Sequence, residues 1–287
     1  MDLDGDGYLD ILSGSYSRQS RDMAGLFQIL YGTAKGGWKK AQVLKGTDDK
    51  PLIIPVPNQD QWPESICTRP TAVDWDGDGD LDLIVGNFTG TFYWFKAVGK
   101  GKFDPKPVQI QAGKKALRIP GVHSDPFVID WDGDGDLDLL SGSSNGGAYL
   151  SENVAKPGKA PKMTAFRALI KPGKQIAYGS ILREKDLKGP TRCTRVWADD
   201  VNGDGKLDLL LGDCVSLLEP AKGLTVAEYN KRRVEWQKKL IELSKGLRGK
   251  DEAKRRAAMQ EYSKHSMKRK EFVKEERTGF IWLYVQK

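Results

Sequence analysis

Four stretches of this chain align without a gap. Asp-Leu-Asp-Gly-Asp-Gly-Tyr-Leu-Asp starts at Asp2, Asp-Trp-Asp-Gly-Asp-Gly-Asp-Leu-Asp at Asp74 and again at Asp130, and Asp-Val-Asn-Gly-Asp-Gly-Lys-Leu-Asp at Asp200. Their starts lie 72, 56 and 70 residues apart. A unit of that period is too small to bury its own apolar faces, so the chain must stack such units against one another. Each motif has a short apolar run before it and a Leu-Asp-Leu/Ile-Leu/Ile-x-Gly-type run after it, rich in strand formers and closed by glycine. The motif therefore sits in the turn between two strands.

Further strands follow each hairpin. Gly25-Leu-Phe-Gln-Ile-Leu, Gly90-Thr-Phe-Tyr-Trp-Phe and Gly279-Phe-Ile-Trp-Leu-Tyr supply a third, and Ala41-Gln-Val-Leu, Val108-Gln-Ile-Gln and Arg167-Ala-Leu-Ile a fourth. Four antiparallel strands per repeat is the composition of a propeller blade. The expected fold is mainly β, with four four-stranded antiparallel blades of a β-propeller. The ring should be incomplete, because Met1 stands inside the first loop and the chain ends eight residues after Gly279. An arc of blades leaves unpaired edges and apolar faces. This start, with no charged or apolar leader before it, predicts an N-terminally truncated piece of a longer protein.

The repeated loop carries chemistry. Oxygen side chains fall at positions 1, 3, 5 and 9, and glycines at 4 and 6 let the chain coil through positive φ to bring them together. The predicted ligands are Asp2, Asp4, Asp6 and Asp10; Asp74, Asp76, Asp78 and Asp82; Asp130, Asp132, Asp134 and Asp138; and Asp200, Asn202, Asp204 and Asp208. Position 7 would lend its backbone carbonyl, at Tyr8, Asp80, Asp136 and Lys206. Hard anionic oxygens of this kind suit Ca²⁺, up to four ions in all. An EF-hand is excluded: its glutamate at position 12 is replaced by Ser13, Val85, Ser141 and Leu211, and the flanks are strands. The fourth site should be weakest, since Asn202 replaces a carboxylate.

These Asp-x-Asp-Gly-Asp-Gly-x-x-Asp-Leu-Leu-x-Gly units resemble the FG-GAP/VCBS repeats of bacterial secreted proteins, akin to those of the integrin α-subunit propeller. The resemblance covers roughly residues 1–224 and 279–287. It implies Ca²⁺ in the loop between the first and second strands of a blade. It also implies a secreted or cell-envelope location and a role in adhesion, carbohydrate or protein recognition, or non-catalytic scaffolding. The partner would be a protein or a glycan. It brings no catalytic motif.

The net charge of +7 suggests nucleic acid until it is located. Residues 225–277 hold 17 Lys and Arg against nine Asp and Glu, so the rest of the chain is close to neutral. This basic segment opens with a capping box, Thr225-Val-Ala-Glu228, followed by Val226, Tyr229, Trp236, Leu240, Leu243 and Leu247 at helical spacing. A second helix is expected from about Asp251 to Lys274, with Ala258, Tyr262 and Phe272 on its apolar stripe. The expected domains are blades at 1–224, a basic αα-hairpin at 225–277 inserted in the last blade, and a completing strand at 278–287. The hairpin is either a solvated pair of helices or a contact for an acidic partner. No aromatic interleaves its basic clusters, so specific nucleic-acid binding is not expected. No apolar run approaches the ~18 residues of a membrane span.

An enzyme is not expected: there are two histidines and no Gly-x-Ser-x-Gly, phosphate loop or His-Glu-x-x-His. The alternative is a carbohydrate-active propeller lyase or hydrolase, or the accessory domain of one. One set of positions stands apart. Seven residues before the loops lie Cys67, His123 and Cys193, with Arg69, Asp125 and Arg195 two residues further on the same strand face. They would gather at the rim of a central channel, as a ligand pocket or a soft-metal site, or simply as strand-entry packing. Hairpin arithmetic also sets Cys193 opposite Cys214, close enough for a disulfide in an oxidising compartment.

Overall fold

The computed structural model describes residues 1–16, 25–56, 58, 63–155, 159–174, 176–177, 179–248 and 251–287. It is mainly β, with several antiparallel sheets and two helices. The first sheet joins β1 (Ile11–Ser13), β2 (Gln28–Leu30) and β3 (Gln42–Val43). The second runs β4 (Arg69–Val73), β5 (Asp82–Gly86), β6 (Phe92–Phe95) and β7 (Val108–Gln109) in sequence order. A small ribbon, β8 (Gln111–Ala112) and β9 (Lys115–Ala116), precedes the third sheet. That sheet repeats the second with β10 (Pro126–Ile129), β11 (Asp138–Gly142), β12 (Ala148–Ser151) and β13 (Arg167–Ile170).

The fourth sheet opens with β14 (Arg195–Asp199) and β15 (Asp208–Gly212). The chain then leaves it. β16 (Val215–Pro220), α1 (Val226–Gly246), α2 (Glu252–Met267) and β17 (Val273–Thr278) intervene before β18 (Ile281–Tyr284) returns as the third strand beside β15. The expected third and fourth strands thus fall where the sequence puts them, and the predicted metal loops join β4 to β5, β10 to β11 and β14 to β15.

Each sheet packs because its second strand is apolar on both faces. In β5, Leu83 and Val85 join Phe27, Ile29 and Leu44 of the first sheet, whereas Ile84 points the other way, into a cluster with Leu139. In β11, Leu139 faces the second sheet and Leu140 joins Val196, Ala198 and Leu211 of the fourth. All these leucines and Ile84 are at most 4% exposed, each contributing about 1.5–3 kcal/mol of burial. A one-residue slip of β5 would exchange the two clusters.

A second device locks neighbouring sheets. Cys67, His123 and Cys193 have φ of 53, 63 and 52°, in the left-handed region where non-glycine residues are uncommon. The turn lets the next residue reach back. Thr68, Ser124 and Thr194 donate their N–H to the carbonyls of Ser15, Asn87 and Ser143 at 3.0–3.1 Å. Their hydroxyls accept the N–H of the same three residues at 2.8–2.9 Å. The residue just before each of these is the glycine that closes the repeat.

The chain divides into two compact units. One comprises Met1–Gly173, Pro190–Asp213 and Phe280–Lys287; the other comprises Lys174–Gly189 and Cys214–Gly279. The predicted 225–277 insert is therefore part of a larger body. β16 pairs with β17 along six residues instead of joining the fourth sheet, and Leu182 exchanges two backbone hydrogen bonds with Leu218 at 2.8 and 3.0 Å. The capping box forms as expected: Thr225 Oγ1 accepts from Glu228 N at 3.2 Å and the Glu228 carboxylate accepts from Thr225 N at 2.8 Å. The second helix stops at Met267, short of the expected Lys274. Phe272 and Val273 are drawn into a core with Tyr229 and Trp236, and Val273 begins a strand. Trp236 Nε1 donates to the His265 carbonyl and the His265 ring meets the Trp236 carbonyl, both at 3.0 Å, tying the helices together.

Candidate metal centres

The loops are built alike. The carboxylate at position 1 brackets its own turn: Asp74 accepts from Asp78 N and Gly79 N at 3.0 Å, and Asp130 accepts from Gly133 N at 2.8 Å and Gly135 N at 3.0 Å. Asp2 accepts from Asp6 and Gly7, and Asp200 from Gly203, Asp204 and Gly205, in the same way. The two glycines of every loop lie at φ between 71 and 92°. Position 5 caps position 7, with Asp6, Asp78, Asp134 and Asp204 each accepting that residue's N–H at 2.9–3.1 Å. The carboxylates are held in place by the backbone and leave oxygens facing inward.

Three trios bring one oxygen from each member within 4.8 Å of one another: Asp2, Asp4 and Asp6; Asp74, Asp76 and Asp78; and Asp130, Asp132 and Asp138. Asp200 and Asp204 of the fourth loop flank the Asn202 amide instead, whose Nδ2 donates to Asp204 at 3.2 Å. The third loop shows what the donor sets lack. Both oxygens of Asp136 are shielded and have no hydrogen-bond donor among the described residues. Burial, then the charges of Asp134, Asp138, Asp132 and Asp130, push its carboxyl up to about 6. Crowded, donor-poor carboxylates are the setting a hard divalent cation fits.

Two features were not read from the sequence. The first concerns position 9. Asp10, Asp82 and Asp138 are at most 5% exposed, and each accepts two backbone N–H groups. For Asp82 these are Trp75 N at 3.2 Å and Ala97 N at 2.6 Å; for Asp138, Trp131 N at 3.0 Å and Asn153 N at 2.8 Å. Asp10 holds Leu3 N and Gly32 N, both at 2.8 Å. This aspartate ties the loop to the end of the third strand and faces a metal only with its remaining lone pairs. The second feature is Lys96, whose Nζ pairs with Asp76 and, at 3.1 Å, with Asp78. The corresponding residues after the third strands are Tyr31, Glu152 and Val285, so no other loop has an ammonium at this position; against the first loop it is the Lys100 side chain that lies beside Gly5.

The expected rim residues lie within electrostatic reach of one another: Cys67 and Cys193 both act on Arg69, and Arg69 and Arg195 both act on His123. Cys67 is 3% exposed, with its thiol pushed up by burial. Among the described residues no group of three close metal-binding side chains includes a cysteine or histidine. His123 packs edge-on against Phe88, 4.7 Å between ring centres, and burial and then the two guanidiniums hold its pKa down. Arg69, Asp125 and Arg195 do converge: Asp125 lies 3.5 Å from Arg69 Nε and 3.0 Å from Arg195 Nε. Arg69 Nη1 also donates to the Ser124 carbonyl and Arg195 Nη1 to the Thr194 carbonyl. Cys193 and Cys214 are both free thiols and no disulfide joins them; β15 ends at Gly212 and the chain departs into β16.

Around the helices, a cavity of about 740 Å³ is lined by Trp236, Leu240 and Tyr262, with Arg269, Lys270 and Arg277 among its polar residues. Among the described residues no helix is long and apolar enough to cross a membrane. Residues 74–141, which span the second and third loops, match the family model described as FG-GAP-like repeat. No curated protein matches the chain.

Proposed function

As this chain is an FG-GAP-like repeat protein, we propose that it is a calcium-stabilised, β-propeller-like binding or scaffold module without catalysis of its own, working outside the cell or in its envelope. The observation that carries the reading is the third loop, where five carboxylates (Asp130, Asp132, Asp134, Asp136 and Asp138) meet with two oxygens of Asp136 unpartnered. Bound Ca²⁺ would neutralise that charge. The protein's own residues do the rest: position 1 shapes the turn, positions 3 and 5 present oxygens, and position 9 holds the loop against the third strand. In the second loop, Asp74 and Asp76 would share the ion with Asp78 once Lys96 is displaced. Millimolar extracellular Ca²⁺ fills even weak sites of this class.

The basic helical unit supports a contact with an acidic partner, since Arg269, Lys270, Lys274 and Arg277 border its cavity and only Glu275 opposes them among the lining residues. The test of the main reading is thermal unfolding in calcium and in chelator. Binding to the folded state alone at 100 times Kd adds about 2.7 kcal/mol per site, so the chelated protein should melt several degrees lower. Coincident melts would refute calcium stabilisation.

A further inference from the structure

We propose that the outer face of the fourth sheet is the seat of one more repeat of the same construction, whose entering strand brings a backbone carbonyl over Gly212 and a carboxylate to Arg195. The inference stands apart from the calcium reading. Its starting point is a row of residues met twice. In the third sheet Phe127, Leu140 and Leu150 are cross-strand neighbours, and the fourth sheet covers them, leaving both leucines 0% exposed. The same row in the fourth sheet is Trp197, Leu210 and Leu283. Here Trp197 is 57% and Leu283 50% exposed, with Ile281 beside them at 77%. The opposite face, Val196, Ala198, Leu209 and Leu211, is buried against the third sheet.

The glycine that closes each repeat gives a second, independent sign. A Cβ on Gly14, Gly86 or Gly142 would meet the carbonyl oxygen of Thr68, Ser124 or Thr194 of the following sheet at 1.9, 2.4 or 2.1 Å. Those glycines exist to let that carbonyl in. Gly212 occupies the same place in the fourth repeat, and a Cβ there would meet nothing closer than Arg195 Cβ at 4.0 Å.

Charge gives the third sign. At the position two residues after the left-handed turn the sheets carry Arg69, then Asp125, then Arg195, each paired with its neighbour. Among the described residues Arg195 uses Nε and Nη1, and its Nη2 has no hydrogen-bond partner. The next residue in that alternation is an acid. A second copy of this chain does not meet the requirement, because its three entering strands, led by Thr68, Ser124 and Thr194, are already seated on their own preceding sheets. The occupant is a repeat sheet with Asp or Glu two residues beyond its left-handed turn. Asp213 N–H already bonds the Phe280 carbonyl, so carbonyl and carboxylate, and not an incoming hydroxyl, define the fit.

The full chain can be made to test this in register. Gln286 N–H bonds Asp208 at 2.9 Å as Ala97 N–H bonds Asp82 at 2.6 Å, so a copy of residues 99–173 appended after Lys287 carries a β7 for β18 and an Asp125 for Arg195. The parent should sediment as a monomer with fast hydrogen exchange at Ile281–Tyr284. In the tandem protein that segment should slow by ~10-fold or more and the melting temperature should rise. Asp125→Lys in the appended copy, or Gly212→Ala, should erase the gain. An appended copy that stays unprotected, or one that folds without protecting Ile281–Tyr284, overturns the proposal. So does a parent that self-associates with this segment protected, which would make a second copy the occupant.

Discussion

Gly142→Ala and Gly212→Ala change the same position of two repeats by the same methyl group, and they should part widely. Neither glycine is among those at positive φ, so the backbone angle is not at issue. At Gly142 the added Cβ would stand 2.1 Å from the Thr194 carbonyl oxygen and 2.5 Å from its carbon. An ordinary carbon–oxygen contact is about 3.3–3.6 Å, so the fourth sheet's entering strand must retreat by more than an ångström. That retreat strains the exchange between Ser143 and Thr194, with N–H···O at 3.0 Å and N–H···Oγ1 at 2.9 Å, and the 2.6 Å bond from Thr194 Oγ1 to the Gly147 carbonyl. Overpacking costs about 1–3 kcal/mol and each of the three lost hydrogen bonds about 1 kcal/mol, for a total of about 4–6 kcal/mol.

At Gly212 nothing is displaced, and replacing a strand glycine by alanine stabilises by about 0.5–1 kcal/mol. At ~2–4 °C per kcal/mol for a chain of this size, the two variants should melt at least ~8 °C apart, Gly142→Ala below the parent and Gly212→Ala at or above it. Calorimetry in saturating calcium reads this directly. A Gly142→Ala protein that melts with the parent would refute the close approach as the reason for the repeat's glycine; a Gly212→Ala protein that falls with it would show that the position is needed for the loop or strand itself.

The resident ammonium of the second loop should make that site fill last. Lys96→Met should raise its calcium affinity, read as a change in the weakest step of a calorimetric titration, and an unchanged isotherm would show that Asp76 and Asp78 release Lys96 at no cost. This ranking competes with the expectation that Asn202 makes the fourth site weakest, and Asp74→Ala and Asp200→Ala decide between them by which step disappears. Tyr93 gives a pH signature. Burial first, then the Glu64 carboxylate, raise its phenol from 10.0 to about 12. A raised folded-state value stabilises the neutral form, so its contribution is fully present below pH ~10 and lost as pH climbs toward ~12. Burial also raises the phenols of Tyr31, Tyr149 and Tyr284, so the ultraviolet absorbance of tyrosinate should show a late-titrating component that Tyr93→Phe reduces by one phenol.

Repeat spacing made most of the strand order legible, because each unit announces its turn with glycines and aspartates and its strands with alternating apolar residues. The third strands at Gln28–Leu30, Phe92–Phe95 and Ile281–Tyr284 follow from that pattern alone. The second helix was overextended because Phe272 fits a helical stripe as well as it fits a core with Tyr229 and Trp236, and periodicity cannot tell one from the other. The excursion at β16 was hidden for a related reason: Val215–Pro220 has the composition of a sheet strand, and only its partner, β17, shows that it belongs elsewhere. At the rim, the spacing of Cys67, His123 and Cys193 marks a recurring strand entry, one of the meanings the sequence left open. What recurs there is a backbone turn at φ of 52–63°, and the side chains that hold it differ.

The position-9 aspartate changes how the loop should be understood. A ligand that only coordinated metal would sit at the surface with the others. Instead Asp82 and Asp138 are at most 1% exposed, and burial raises both carboxyls while the backbone donors lower them. An ionised group so placed is tolerable only with its hydrogen bonds made. Those bonds come from two places, the residue after position 1 of the loop and the second residue beyond the third strand, so one carboxylate closes a circuit from loop to sheet. A cation drawing on its remaining lone pairs would favour the same ionised state that the N–H groups require. In the first three repeats, filling the loop and pairing the third strand then reinforce each other through a single side chain; in the fourth, Asp208 keeps the bond from Gln286 N–H while its other oxygen has no hydrogen-bond partner among the described residues, and position 7 varies freely among Tyr8, Asp80, Asp136 and Lys206.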